Sequence, residues 1–73
     1  MGHAKSLKER IKIREKAVEF KGRFFFETRH HDLFEFKIPD TMQQFVVWLK
    51  NQDDIELIEI EENRMAVKYK DKK

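Results

Sequence analysis

Few residues in this 73-residue chain have types and spacings that could do chemistry. His30-His31-Asp32 is the one cluster of metal-ligand residue types in the sequence. Adjacent histidines in a tight loop splay apart, and no third or fourth ligand follows at a useful spacing, so the cluster reads as a solvated loop. Asp53-Asp54 and Glu59, Glu61 and Glu62 supply carboxylates. A catalytic pair needs a pocket that drives its two pKa values apart, and these residues fall in a loop and at a hairpin end. Ser6 is the sole serine and stands where a helix cap is wanted, which leaves nucleophilic catalysis without a candidate. The expectation is a non-enzymatic chain with no cofactor, no bound metal and no small-molecule substrate.

Charge is the stronger signal. Residues 1–23 carry eight Lys/Arg against three acids, residues 24–63 three against ten, and residues 64–73 five against one. The net charge of +2 therefore hides a basic, acidic, basic polarity along the chain. The length predicts one domain, near the lower size at which a core stabilises a fold unaided. With no cysteine, disulfides and thiolate metal sites are excluded, and a cytoplasmic setting is expected. No apolar run approaches the length of a membrane span. Met1-Gly2-His3 reads as a remnant of recombinant expression, leaving residues 4–73 as the expected single α+β domain. Seven Phe and one Trp argue for a packed core.

The elements follow from periodicity. Ser6-Leu7-Lys8-Glu9 reads as a capping box, and Gly22 suits the left-handed position just past a helix end. Leu7, Ile11, Ala17 and Val18 fall on one face between these signals, so a helix is expected over 7–20. Ile11/Ile13 and Val18/Phe20 also alternate as a strand would, which would make the order βββαββ, the arrangement of an OB barrel. Residues 24–28 and 33–38 alternate with period two and are expected to pair as a hairpin around His30-His31-Asp32, with Thr28 opposite Phe34, Phe26 opposite Phe36 and Phe24 opposite Ile38. Asp40 and Gln43 read as the cap of a second helix, 41–51. Its apolar stripe is Met42, Phe45, Val46 and Leu49, with Trp48 at the flank and Val47 outward. A final hairpin turns at Glu62-Asn63, pairing Ile60 with Met65, Ile58 with Val67 and Glu61 with Arg64. The leading architecture is αββαββ: a four-stranded antiparallel sheet with two helices on one face, ferredoxin-like with strand order permuted.

Lys21-Gly22-Arg23-Phe24-Phe25-Phe26 resembles, over six residues, the RNP1 segment of RNA-recognition and cold-shock domains, in which Lys-Gly precedes alternating aromatics. It departs from that pattern at Arg23, at Phe24 and at Thr28. The resemblance implies a nucleic-acid binder with Phe25 stacking on bases. Phosphate contacts would come from Lys8, Lys12, Lys21 and Arg23, in or next to the basic N-terminal segment. Glu27 and Glu35 would lie beside such a backbone, and a core-facing Phe24/Phe26 pair accounts for the same residues. The basic segment is itself interrupted by Glu9 and Glu15, as a solvated helix face would be.

The face of the sheet away from the helices is expected to carry Phe25, Leu33, Leu57 and Ala66 within a mixed-charge rim. An apolar patch on so small a domain marks an interaction surface. The function expected first is a regulatory or interaction module that self-associates or binds a protein partner through Phe25, Leu33 and Leu57. Nucleic-acid binding comes second.

Overall fold

The structure, a computed structural model, describes residues 7–53 and 55–70. The elements run α1 (Leu7–Glu19), β1 (Gly22–Glu27), β2 (His31–Phe36), α2 (Pro39–Lys50), β3 (Ile55–Glu61) and β4 (Arg64–Tyr69). Every strand pairing is antiparallel, and the sheet order is β1-β2-β4-β3. That order is compatible with a ferredoxin-like sheet whose first strand has been moved to the chain end. Residues 7–19 are helical, so the barrel alternative, which needed a strand there, does not hold.

Both helices lie over one sheet face, here called inner. β2 sends Asp32, Phe34 and Phe36 inward, β4 sends Met65, Val67 and Tyr69, and α2 covers them with Met42, Phe45, Val46 and Leu49, all buried. Phe45 is the centre of an aromatic group, its ring centroid 5.3 Å from Phe34, 5.5 Å from Phe36, 5.8 Å from Trp48 and 6.0 Å from Phe20. Burying each of Phe34, Phe36 and Phe45 contributes roughly 1.5–3 kcal/mol. Val47 points outward as its phase requires, 61% exposed. The helix begins at Pro39, two residues earlier than the Asp40 signature suggested. Ile38 occupies the cap position and makes no side-chain cap bond, and the proline supplies the first turn's fixed φ.

The β3–β4 hairpin has the expected register, Ile60 opposite Met65, Ile58 opposite Val67 and Glu61 opposite Arg64. Its positive φ falls on Glu62 (55°) rather than on Asn63. The β1–β2 hairpin differs from expectation. Phe24 pairs with Phe34 and Gly22 with Phe36, and a β-bulge between Phe24 and Phe26 then sets Phe26 opposite Leu33. The strands stay closer to the loop because Asp32 belongs to β2, and the connection narrows to residues 28–30.

The inward stripe of α1 also differs. Leu7, Ile11 and Val18 are 62%, 41% and 61% exposed, and the buried residues are Arg10, Ile13 and Ala17. With Arg14 these make an i, i+3, i+4, i+7 face in which two arginines take apolar positions. The Ser6 half of the expected capping box lies outside the described residues. Past the helix, the left-handed residue is Lys21 (φ 70°), not Gly22. Glycine is required at 22 for space: a Cβ there would collide with the Phe36 ring.

Candidate interaction surface

Among the described residues, no helix covers the other, outer, sheet face. Side chains reach it by alternation from β2 (His31, Leu33, Glu35), β4 (Arg64, Ala66, Lys68) and β3 (Leu57, Glu59, Glu61), since the intervening residues of β2 and β4 are buried inward. The bulge determines what β1 adds. Two residues there oppose one, so Phe25 and Phe26 share Leu33 as partner, and Phe26 leaves the core with 55% of its surface exposed. The expected core position of Phe26 is thereby overturned. A second irregularity, between Ile55 and Leu57, brings Glu56 beside Leu57 at Lys68. The Lys68 ammonium lies 3.8 Å from the Glu56 carboxylate.

The face is organised in rows across the strands. The first row is Arg23, Glu35, Arg64, Glu61, each paired with the next in register. Arg23 Nε donates to Glu35 Oε1 at 3.2 Å and Arg64 Nε to Glu35 Oε2 at 3.4 Å. Bonding from Arg23, then from Arg64, holds the Glu35 carboxyl below the usual glutamate range. Both guanidiniums also flank the Phe25 ring, at 6.0 Å (Arg23) and 5.5 Å (Arg64) from its centroid. The second row is Phe25, Leu33, Ala66, Glu59. Its residues line a shallow pocket of about 250 Å³ with Ile60, Met65 and the first row's Arg64 and Glu61. Phe25 and Leu33 thus come together as expected. Leu57 lies on the same face, 46% exposed, but in the third row opposite Lys68 and outside that pocket.

The four basic residues proposed to contact phosphate do not form one patch. Lys8 and Lys12 are exposed on α1, over the inner face, whereas Arg23 is bound to Glu35 on the outer one. Lys21 sits exposed in the turn between α1 and β1.

A second constellation escaped sequence reasoning. Asp32 is fully buried beneath α1 and takes bonds from three side chains. Arg10 Nη2 donates to Oδ1 at 2.6 Å, Arg14 Nη2 to Oδ1 at 2.9 Å and Nε to Oδ2 at 3.2 Å, and the Tyr69 hydroxyl to Oδ2 at 2.8 Å. Arg10 also donates to the carbonyls of Thr28 (2.9 Å), Arg29 (3.0 Å) and His31 (2.7 Å), tying down the β1–β2 loop. Arg14 reaches Glu27 at 3.0 Å and stands 4.0 Å over the Phe24 ring. Burial opposes its charge, but the bonds and attraction to Asp32 and Glu27 outweigh this and raise its pKa. Burial and the neighbouring Asp32 carboxylate push the Tyr69 phenol well above its ordinary range. Among the described residues no buried side-chain nitrogen or oxygen lacks a hydrogen-bond partner, so the cluster clamps helix to sheet. The one available signal was the i, i+4 spacing of Arg10 and Arg14 on the helix face that also holds Ile13 and Ala17.

Among the described residues, no group of three or more His, Asp or Glu is placed to hold a metal ion, and no helix is long and apolar enough to cross a membrane. Comparison of the chain with protein-family profiles, with curated proteins and with solved structures finds no match.

Proposed function

We propose that the protein is a non-enzymatic interaction module whose outer sheet face is its binding surface, with Phe25 and Leu33 as central anchors and Leu57 at the margin. The observation that carries the reading is the β1 bulge, which places two consecutive phenylalanines on the side of the sheet that neither α1 nor α2 covers. A small apolar centre with a charged rim, left open on a small domain, is the composition of a protein-binding patch. Solution mass, measured by light scattering over a hundredfold concentration range, tests self-association; a foreign protein partner is the other occupant. Phe25→Glu is expected to abolish assembly while the far-ultraviolet circular dichroism stays unchanged. A Phe25→Glu variant that unfolds would place Phe25 in the core and remove the reading.

A second reading, nucleic-acid binding, is favoured by the two guanidiniums around Phe25. Against it, Glu35 engages both, and Glu59 and Glu61 adjoin them. Binding to mixed single strands that falls steeply with salt would support it; salt-insensitive or absent binding would remove it.

A further inference from the structure

We infer that the outer face binds a second copy of this chain, through a two-fold axis parallel to the strands that runs between β2 and β4. The inference rests on the proposed binding role of that face and names its occupant. The argument is charge complementarity. The first row reads plus, minus, plus, minus across the sheet: Arg23, Glu35, Arg64, Glu61. A two-fold along the strands lays this row over its own reverse. Arg23 then meets Glu61 of the second copy, Glu35 meets Arg64, and the same contacts recur by symmetry.

The second row fits the same operation. Leu33 meets Ala66 at the centre, a large side chain against a small one, and Glu59 meets Phe25 with the Arg23 guanidinium 6.0 Å from that ring. In the third row His31 meets Lys68, whose charge Glu56 already accompanies at 3.8 Å. The alternative two-fold, perpendicular to the strands, fails on the same rows: it sets Glu59 against Glu59 and Arg64 against Lys68. Like charges so placed repel across an interface and select against that arrangement. Aligned packing of two sheets keeps their strands within about 30° of each other, an offset that Arg and Glu side chains are long enough to span.

The small size of the face points to a weak dimer. Four strands about 4.8 Å apart and six residues rising about 3.4 Å each give roughly 400 Å² in projection. This is at or below the low end of specific interfaces, so the dimer is expected to form in the micromolar range and above. The apolar centre supplies attraction, and the charge row selects the orientation.

Sedimentation equilibrium of the full chain tests this with Arg23→Glu, Glu61→Arg and their equimolar mixture. In each variant's own dimer the reversed residue meets a like charge twice, and self-association is expected to weaken at least about tenfold. In the mixed dimer every pair is again opposite, so the mixture is expected to recover wild-type association. If R23E loses its fold, E61R alone still reads the contact, its dimer weakened while Glu62→Arg, in the adjacent turn, leaves association unchanged. Single variants that associate as wild type, with Phe25→Glu monomeric, would overturn the two-fold arrangement and leave the binding face standing. Wild type and Phe25→Glu associating equally would overturn both. A wild type monomeric to millimolar concentration would overturn self-association and leave the face to a foreign protein.

Discussion

Replacing Asp32 with asparagine removes the charge that holds two arginine side chains under α1. Breaking a buried ion pair by removing one partner costs about 3–5 kcal/mol, because the remaining charges lose their compensation. Asp32→Asn is therefore expected to lower the urea midpoint sharply, since that cost is a large fraction of the stability of so small a domain. Tyr69→Phe removes one donor from the same carboxylate and is expected to cost about 1 kcal/mol at neutral pH. Its second effect depends on pH. The folded state keeps the phenol neutral well above its ordinary value, so the bond's contribution is complete below pH about 10 and declines as the unfolded chain ionises above it. Wild type should lose stability on the alkaline side of pH 10, and Tyr69→Phe should flatten that decline in a pH series of thermal melts.

At the scale of elements, two backbone positions invite direct tests. Lys21 bears the left-handed conformation that ends α1, and Lys21→Gly is expected to stabilise by up to about 1 kcal/mol in chemical denaturation. Its neighbour behaves in the opposite sense. Gly22→Ala drives a methyl into the Phe36 ring and is expected to destabilise by about 1–3 kcal/mol. Sequence reasoning had assigned the left-handed role to Gly22, since a glycine needed for clearance and one needed for φ look alike in one dimension. α2 and the last hairpin were legible because an apolar stripe and a strict alternation each have one solution. The inner face of α1 was not, because its arginines bury their stems against partners 18 to 22 residues away. The β1 bulge was equally hidden: Phe24, Phe25 and Phe26 are the same residue type, and nothing in their order says which two share a face. Of the candidate surface, Phe25, Leu33 and Ala66 were readable from alternation, while Phe26 appeared only with the bulge.

The whole molecule is elongated, 36 by 18 by 17 Å, with a Cα radius of gyration of 11.4 Å. Two layers of that size leave Phe26 and Leu57 of the outer face about half exposed, and association is one way to cover them. If the outer face is occupied by a second copy, folding and assembly share one free energy. The melting temperature of wild type should then rise with protein concentration, and that of Phe25→Glu should not. Calorimetry at two concentrations a hundredfold apart reads the difference.

The clamp at Asp32 joins residues 10, 32 and 69, so it draws on the helix, the first hairpin and the last strand. Contacts so distant along the chain close after the local ones, because each long loop must be ordered first. The clamp should therefore assemble on the native side of the folding barrier. Mutations in it would leave the refolding rate nearly unchanged and speed unfolding instead. Stopped-flow chevrons of Tyr69→Phe are expected to shift mainly in their unfolding arm. Read this way, the buried carboxylate acts as a latch that governs how long the folded state lasts.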